Sequence, residues 1–314
     1  MSTACDFQAL SALDFESWAA ALRARVEQKA DAALPRPSGG ALDTLFEAMR
    51  YAVMGGGKRV RALLVYGAGT LAAAPAAALD EAALAVEYVH AYSLVHDDLP
   101  CMDNDTLRRG KPTAHVKFGE AAAMLAGDSL QPEAFERLAM TGLSDAQVNA
   151  LTRTLARASG AHGMCGGQMI DLASVGRRIS IDTLRQMHRL KTGALISAAV
   201  RMGALCGDPA RFAVLEDDLS SYSAALGLGF QVVDDILDVT ASTAELGKTA
   251  GKDEASDKPT YVSLLGLDEA RALAGRCGDE AIAAVARMRA RPEAAREGLQ
   301  RLEELSRYII RRTC

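Results

Sequence analysis

Apolar residues recur along much of this chain with the period of an α-helix. Leu42, Leu45, Phe46, Met49 and Val53 follow the i, i+3, i+4, i+7 spacing that places side chains on one helical face. We find no sustained alternation of apolar and polar residues, which is the pattern of a half-buried strand. Aromatic residues are scarce at 5%, which removes a further source of strand preference. The pattern therefore predicts an all-α fold.

Turn and capping residues divide the chain into about ten predicted helices. Ser144 with Gln147 has the spacing of a capping box, and Asp208-Pro209 has the pattern of an N-cap followed by a first helical residue. The predicted helices cover residues 8–33, 41–54, 58–73, 79–99, 118–140, 144–173, 180–206, 209–240, 259–274 and 278–311, the last with a break near Pro292. No stretch between them has the composition of a linker, so residues 1–314 are predicted to form one domain.

The overall composition narrows the possible functions. Hydrophobic residues make up 49% of the 314 residues and charged residues 24%, the balance of a soluble globular protein with a large core. The formal net charge of −5 argues against nucleic-acid binding as the main activity. No apolar run is long enough to span a membrane, and the N-terminus lacks the pattern of a signal peptide. We therefore expect a cytoplasmic protein.

The cysteines indicate a reducing compartment. They form no CxxC or CxH cluster and are spread through a large chain, which favours free thiols over a disulfide framework or a zinc site. They are Cys5, Cys101, Cys165, Cys206, Cys277 and Cys314.

Two acidic clusters each follow an apolar helical stretch. The first lies in residues 96–105 and the second in residues 234–238. Several carboxylates beside an apolar face are costly unless a cation neutralises them. Mg²⁺ suits such groups because it takes a few carboxylates together with substrate phosphates. One cluster alone could be a solvated helix end, but two of the same form favour a metal site.

The spacing within each cluster makes a structural prediction. Asp234 and Asp238 are four residues apart and share a helical face, whereas Asp97 and Asp103 are six apart and would not. Pro100 resolves this difficulty because a proline disfavours helical geometry in the residue before it. We therefore predict that the chain leaves its helix near Pro100 and returns Asp103 towards Asp97.

Basic segments complement the acidic clusters. The sequence GGGKRVR at 55–61 is a glycine break before a helix, where free N–H groups and the helix dipole attract an anion. Lys58 and Arg61 share a face of that helix. The sequence RRGK at 108–111 follows the first acidic cluster directly. The lysines that follow the second cluster are Lys248, Lys252 and Lys258. Each segment alone could be ordinary surface charge, but their pairing with two acidic clusters indicates phosphate binding.

These motifs together give the chain a specific resemblance. It resembles the trans-isoprenyl diphosphate synthases, and among them those of the bacterial farnesyl type. The resemblance runs from about residue 42 to 265 and more weakly beyond. It rests on GGGKRVR at 55–61, DDLPCMD at 97–103, RRGKPTAH at 108–115, FGEAAAMLAGDSLQ at 118–131, GMCGGQMIDL at 163–172, LKTGALI at 190–196, GFQVVDDILD at 229–238 and LGKTAGKD…KPTY at 246–261.

The resemblance implies both a fold and a reaction. The fold would be a single-domain, isoprenoid-synthase-like helical bundle around a central cavity. The reaction would be the head-to-tail condensation of isopentenyl diphosphate with dimethylallyl and geranyl diphosphate, through an allylic carbocation. The implied cofactor is Mg²⁺, about three ions per active site, and the implied assembly is a homodimer. Metals and cationic side chains would stabilise the diphosphate that leaves when the allylic C–O bond breaks.

The resemblance also assigns roles to individual residues. The metal ligands would be Asp97, Asp98, Asp103 and Asp234, with Asp235 and Asp238 behind it. The allylic diphosphate would be bound by Arg108, Lys191, Gln231, Lys248 and Lys258. The diphosphate of isopentenyl diphosphate would be bound by Lys58, Arg61, His90 and Arg109. The catalytic group would comprise Lys191, Thr192 and Gln231, with Thr192 and Gln231 facing the carbocation.

One aromatic residue bears on the length of the product. Tyr92 precedes Asp97 by five residues, or about 7.5 Å of helix, so a tail hanging from a metal-bound diphosphate would meet its ring. In the resembled family a bulky aromatic here accompanies the farnesyl product. Two positions depart from the family pattern: Ala62 stands where a proline is common, and Asn104 where an aspartate is common.

Four alternatives remain open on the sequence alone. The same chemistry could yield geranyl or geranylgeranyl diphosphate. The chain could be a catalytically inactive regulatory subunit of a prenyl synthase, although such a protein need not retain both acidic clusters. A terpene cyclase would not need Lys58 and Arg61. A metal-buffering helical protein is the least specific alternative.

Overall fold

The protein is described here by a computed structural model that covers residues 7–240 and 258–310. Helices form nearly all of the regular structure in these residues, which confirms the predicted all-α fold. In chain order they are α1 (Phe15–Ala33), α2 (Asp43–Val53), α3 (Val60–Leu71), α4 (Ala76–Asp97), α5 (Ala114–Phe118), α6 (Glu120–Ala139), α7 (Asp145–Ser159), α8 (Met164–Ser174), α9 (Ile181–His188), α10 (Ala194–Leu205), α11 (Pro209–Thr240), α12 (Tyr261–Leu265), α13 (Leu267–Arg289) and α14 (Arg296–Ile310). A 3₁₀ turn at Phe7–Ala12 precedes α1, and a π-helical turn at Arg189–Gly193 joins α9 to α10.

The core forms around helices that are buried on almost every side. Nearly all of α3 and most of α4 and α10 are inaccessible to solvent, which explains why their sequences are apolar on most sides rather than amphipathic. Helix α3 packs against α10, α4 against α6, and α11 against α13. Both acidic clusters therefore stand at the ends of helices that the core fixes in place.

The N- and C-terminal parts of the described chain are joined by a buried arginine. Arg301 of α14 is 1% exposed and donates hydrogen bonds to the carbonyl oxygens of Leu10, Ser11 and Leu13. Its guanidinium also lies 5.1 Å from the centre of the Trp18 ring. These contacts hold the 3₁₀ turn against the bundle.

Two predicted helix starts are confirmed. The Asp208 carboxylate accepts a hydrogen bond from the Ala210 N–H at 2.8 Å, as expected of an N-cap before Pro209. Ser144 caps α7 by accepting from the Gln147 N–H. The Gln147 side chain does not complete a capping box; its amide donates to the carbonyl oxygens of Leu205 and Gly207 instead. A tertiary contact thus replaces the local one.

Several predicted helices prove to be shorter pieces. The segment predicted at 144–173 breaks between α7 and α8, where a Cβ on Gly163 would lie 2.1 Å from the Ala158 carbonyl oxygen. The segment predicted at 118–140 starts after Gly119, which has φ +86° and divides α5 from α6. The first predicted helix starts only at Phe15, where Asp14 accepts from the Ser17 N–H at 2.8 Å.

The prediction of a boundary between residues 274 and 278 was wrong. Helix α13 runs without interruption from Leu267 to Arg289. Its buried positions, including Leu273, Cys277 and Ala281, keep helical spacing through this region, so burial of a continuous face outweighs the two glycines. The predicted break near Pro292 is confirmed, because α13 ends at Arg289 and α14 begins at Arg296.

A small antiparallel ribbon, absent from the predicted fold, follows the first acidic cluster. Strands β1 (Leu107–Arg108) and β2 (Lys111–Pro112) pair with Arg108 opposite Lys111. The two residues of the turn, Arg109 and Gly110, have φ +54° and +73°, as a two-residue hairpin of type I′ requires. Two consecutive arginines, Arg108 and Arg109, therefore lie at a short and tight turn.

The remaining predictions about the whole chain concern membranes and thiols. No helix in the described residues is both long and apolar enough to cross a membrane. Cys101, Cys165, Cys206 and Cys277 are free thiols, as predicted. Cys5 and Cys314 lie outside the described residues.

Candidate active site

The first acidic cluster leaves its helix where the sequence predicted. Helix α4 ends at Asp97, and the Asp103 N–H then donates to the Asp97 carbonyl oxygen at 2.9 Å. Asn104 follows with φ +50°, a left-handed conformation that asparagine tolerates better than most residues. The loop therefore turns back on the helix end and brings Asp103 beside Asp97.

Asp97 and Asp98 have different environments. Burial raises the pKa of Asp97 to about 6; Asp103 adds to the rise, and the charge of Lys191 opposes it. Asp98 is 2% exposed and is bound by Arg108, whose Nε and Nη2 donate to its carboxylate at 2.5 to 2.9 Å. Burial also raises the pKa of Asp98, against the opposing effect of Arg108. Asp97 is thus the carboxylate with more to gain from a cation.

A buried carboxylate that sequence reasoning missed joins the site's lysines. Asp171 of α8 is 4% exposed and accepts from Lys191 Nζ at 2.6 Å. Lys258 Nζ lies 3.6 Å from the same carboxylate and donates to Asp103 at 2.9 Å. Burial alone would raise the pKa of Asp171, but the charges of the two lysines hold it below its ordinary value. The available signal was an acid within the apolar run Met169–Leu172, where charged residues are rare.

The second acidic cluster is organised by a chain of hydrogen bonds. Thr192 Oγ1 donates to Gln231 Oε1 at 3.1 Å, and Gln231 Nε2 donates to Asp235 at 2.9 Å. The other oxygen of Asp235 accepts from the Tyr261 N–H at 2.8 Å. Asp235 is buried and fixes Gln231 in place. Asp234 is half-buried one residue earlier, and Asp238 is buried one turn further along α11.

The π-helical turn carries Lys191 and Thr192, and Thr192 is the first member of this series of hydrogen bonds. A π-turn widens the helix by one residue and is frequent at functional sites. Its neighbours approach closely because they are glycines: a Cβ on Gly167 would lie 2.1 Å from the Lys191 nitrogen, and one on Gly227 would lie 3.0 Å from Gly193 Cα. Because Gly167 and Gly227 have no side chains, α8 and α11 approach the π-turn closely and fix Lys191 and Thr192 in place.

The glycine loop before α3 gathers positive charge. Lys58 is exposed, and Arg61 is half-buried with an Nε that has no hydrogen-bond partner. The guanidinium of Arg109 donates to the Gly56 carbonyl oxygen across from the ribbon. Burial and the nearby arginines hold the pKa of His90 well below its ordinary value, so its imidazole is neutral. These four residues are the ones predicted to bind isopentenyl diphosphate.

The neighbouring arginine in this motif has a structural role. Arg59 is 6% exposed and ion-pairs with Glu27 and Glu87. Glu87 also accepts from the Ala62 N–H at 3.1 Å. A proline at position 62 would have no N–H to donate. The departure from the family pattern therefore supplies one hydrogen bond to a buried carboxylate.

A cavity of about 550 Å³ opens between these groups and the apolar faces of α4, α6 and α8. Arg61, His90, Asp97, Lys191 and Thr192 line its polar end. Its apolar lining includes Tyr92, Leu99, Met102, Met124, Met164 and Leu172. Tyr92 is 5% exposed. The cavity confirms the predicted central space, and most of its lining is apolar.

Several of the predicted site residues lie close together, and another, Lys248, is outside the described residues. Asp97, Asp103, Lys191 and Lys258 form a connected group, and Thr192 with Gln231 lies beside it. Within the described parts of the chain, no three His, Cys, Asp or Glu side chains are arranged to hold a metal by themselves. A metal bound to these carboxylates would complete its coordination with further oxygen atoms, from water or from phosphate.

Comparison with known proteins identifies the family. The family model for polyprenyl synthetase matches residues 42–290. The chain belongs to the polyprenyl synthetase family. It is 49% identical over 272 residues to the farnesyl diphosphate synthase of Escherichia coli, covering 85% of this chain and 88% of the relative. It is 51% identical over 228 residues to the farnesyl diphosphate synthase of Haemophilus influenzae, covering 72% and 77%.

A solved structure agrees with this assignment to the polyprenyl synthetases. The crystal structure of an FPP/GFPP synthase from Zymomonas mobilis in its apo form is 36% identical and superposes with a TM-score of 0.80, covering 97% of this chain and 100% of that one. The predicted resemblance and the isoprenoid-synthase-like fold are thereby confirmed.

Proposed function

We propose that this chain is a farnesyl diphosphate synthase, a prenyltransferase that condenses isopentenyl diphosphate head to tail with dimethylallyl and then geranyl diphosphate. The observation that carries the proposal is the linked group Asp103, Lys258, Asp171 and Lys191 beside Asp97, at the mouth of an apolar cavity. In this group the lysines and the carboxylates neutralise each other. When a metal-bound diphosphate binds, the metal can take the place of the lysines beside the carboxylates, and the diphosphate can take the place of the carboxylates beside the lysines. The apolar cavity then suits the hydrocarbon part of the same substrate.

Mg²⁺ fits the donor set. Asp97 and Asp103 offer carboxylate oxygens, and Mg²⁺ is held by one or two carboxylates together with phosphate oxygens. We assign Asp97, Asp103 and Asp234 as ligands; Asp98 would contribute only when Arg108 turns to the diphosphate, and Asp235 and Asp238 lie behind Asp234. The ion would supply charge stabilisation for the departing diphosphate. About three ions per site is the number expected of the family.

The chain's own cations orient the allylic diphosphate. Lys191 and Lys258 are fixed by Asp171, so their ammonium groups are positioned before substrate arrives. Arg108 can exchange Asp98 for a phosphate oxygen with the same paired geometry. Lys248 belongs to this group in our proposal, as predicted from the sequence.

Isopentenyl diphosphate would occupy the glycine loop. Lys58, Arg61 and Arg109 present positive charge there, and neutral His90 can donate one hydrogen bond. The unpartnered Arg61 Nε supports an anionic ligand, because a buried donor without a partner is costly. A terpene cyclase would have no use for this second diphosphate site.

Developing positive charge would meet oxygen dipoles. Thr192 Oγ1 and Gln231 Oε1 lie 3.1 Å apart and are held by Asp235 behind them. Such fixed dipoles stabilise a carbocation without rearranging during the reaction. The double bond of isopentenyl diphosphate would attack the allylic cation to form the new carbon–carbon bond. The resulting cation then loses a proton, in our proposal to the departed diphosphate, which restores a double bond and requires no nucleophilic side chain.

Tyr92 supports farnesyl diphosphate as the main product. Its buried ring borders the cavity at the predicted distance along α4 from Asp97. Geranyl or geranylgeranyl diphosphate remains the alternative product of the same chemistry.

A product-length assay tests the proposal. Purified protein would be incubated with labelled isopentenyl diphosphate, dimethylallyl diphosphate and Mg²⁺, and the alcohols sized after removal of the phosphates. Farnesol is the expected main product, and Asp234→Ala should abolish it while the circular dichroism spectrum is unchanged. Geraniol or geranylgeraniol would overturn the product assignment. No product from dimethylallyl or geranyl diphosphate would overturn the enzymatic proposal in favour of an inactive partner subunit.

We also propose a homodimer. Val116 of α5 and Leu125 of α6 are each about half exposed, and they are apolar residues on neighbouring helices. Sedimentation equilibrium should give twice the chain mass, and Leu125→Glu should lower the dimer's stability. A monomer at all concentrations would contradict this assignment.

A further inference from the structure

The ring of Tyr92 is held from two sides. Its hydroxyl lies 3.6 Å from the Sγ of Cys165, which reaches it from α8. On the other side, the His96 ring meets it edge to face with the centroids 5.7 Å apart. The Tyr92 ring therefore has neighbours on both α4 and α8.

The His96 side of this arrangement is itself fixed. His96 Nε2 lies 3.0 Å from the Met124 carbonyl oxygen of α6. A Cβ on Gly127 would lie 2.2 Å from the same nitrogen, so only a glycine leaves room for the ring. His96 cannot move readily without disturbing α6, and the adjustable side of Tyr92 is the one that faces Cys165.

The Cys165 side is open to the cavity. Cys165 is exposed and lines the same cavity as Tyr92, and both residues are distinct from the groups that bind diphosphate. A Tyr92 ring that swings towards α8 would have to displace the thiol. Removal of Sγ would leave a gap at the end of the phenol and would remove its polar contact.

We propose that Cys165 is a positioning residue for product length, because it holds the Tyr92 hydroxyl and keeps the ring across the cavity. This inference rests on the proposed function and adds α8 to the part of the site that limits the tail. Without the contact, the ring gains freedom and the cavity admits a longer chain in a fraction of turnovers.

Four variants test the inference in the assay described above. Cys165→Ala removes the contact from one side, Tyr92→Phe removes it from the other, and Cys165→Ser retains a small polar partner. Cys101→Ala removes the other exposed thiol that lines the cavity, which lies on the loop after α4 and not on α8. Thermal unfolding of each variant confirms that it is folded.

We expect Cys165→Ala and Tyr92→Phe each to raise the fraction of products longer than farnesyl by about fivefold, since a hydrogen bond contributes about 1 kcal/mol. The double variant should do no more than either single variant. Cys165→Ser and Cys101→Ala should retain the wild-type distribution. The KM for isopentenyl diphosphate should be unchanged throughout, because its predicted site is at the polar end.

An unchanged product distribution in Cys165→Ala would overturn the inference, as would an additive double variant. Tyr92→Ala separates this result from failure of the underlying proposal. If Tyr92→Ala lengthens the product and Cys165→Ala does not, only the role of Cys165 fails. If Tyr92→Ala leaves the product unchanged, the chain-length assignment of Tyr92 fails and the role of Cys165 fails with it.

Discussion

At the scale of single residues, the site contains buried carboxylates whose charged form is unfavourable unless a ligand is bound. Asp97 is the clearest case, because burial and Asp103 both favour its neutral form. Functional sites commonly retain such groups at a cost in stability. The cost is useful here only if a cation relieves it.

This cost can be measured with Asp97→Asn in the presence of a chelator. The pKa of Asp97 is about 6 in the folded chain, against about 3.9 in an unfolded one. Below pH 4 the Asp97 carboxyl is neutral in both the folded and the unfolded chain, and the fold has its full stability. As the pH rises from 4 through 6 the fold loses stability, because the unfolded chain gives up this proton more readily than the folded one. We expect the variant to exceed the wild type by about 2 kcal/mol in urea unfolding at pH 8, with the difference shrinking towards pH 4. Asp217→Asn, an exposed position on α11, is the control, and a pH-independent difference would contradict the prediction.

Replacement of Asp171 should lower the rate of the reaction with the allylic substrate. Asp171→Asn keeps the shape of the side chain but removes the charge that fixes Lys191 and Lys258. Charged hydrogen bonds are worth about 1.5 to 3 kcal/mol, so kcat/KM for geranyl diphosphate should fall about tenfold to a hundredfold. The KM for isopentenyl diphosphate should change little. Asp182→Asn, which loses only an exposed ion pair to Arg185, should behave as the wild type. A larger effect on isopentenyl diphosphate would place Asp171 in the other subsite.

At the scale of elements, glycines decide how closely the site's helices approach. Helix α8 meets the π-turn through Gly167, whose missing Cβ leaves room for the Lys191 backbone. Gly275 in α13 is the opposite case, since nothing lies within 4 Å of its Cβ position. The two positions allow the same substitution to be compared in different surroundings.

We predict opposite effects of alanine at these glycines. Gly275→Ala should stabilise the chain by about 0.5 to 1 kcal/mol, because alanine is the better helix former and meets no neighbour. Gly167→Ala should destabilise it by about 1 to 3 kcal/mol and displace Lys191, with a fall in kcat. Denaturant unfolding and steady-state kinetics would check both. A neutral Gly167→Ala would show that α8 and the π-turn can separate without consequence.

The same elements show how far the sequence could be interpreted. Periodicity identified the helices, and Pro100 explained how Asp103 returns to Asp97, because both depend on neighbours along the chain. The break at Gly163 and the continuity of α13 depend on what each segment packs against. Asp171 and the contact of Cys165 with Tyr92 were missed for the same reason. Their partners are distant in sequence and come together only when α8 packs beside α4 and the π-turn.

At the scale of the whole molecule, an acidic chain binds acidic substrates by collecting its cations. The net charge is −5, yet Arg61 and Lys191 line one cavity, and Arg108 and Arg109 line a second one that shares Leu94 with it. Local charge decides binding at such short range, because salt screens the more distant surface. Two of these cations are paired with carboxylates until a ligand arrives, Arg108 with Asp98 and Lys191 with Asp171.

Ligand-linked stability follows from this arrangement and can be tested with inorganic pyrophosphate. Mg²⁺ and pyrophosphate together should bind the folded chain and not the unfolded one. At a ligand concentration a hundredfold above Kd, this binding raises the free energy of unfolding by about 2.7 kcal/mol and Tm by about 5 °C. Either component alone should give much less, because Asp97 and Asp103 need a cation and the lysines need an anion. Asp97→Ala should abolish the joint shift, whereas Gly275→Ala should keep it on a higher baseline. A full shift with pyrophosphate and chelator would mean that the cationic side chains suffice and that the carboxylates serve only to hold them in place.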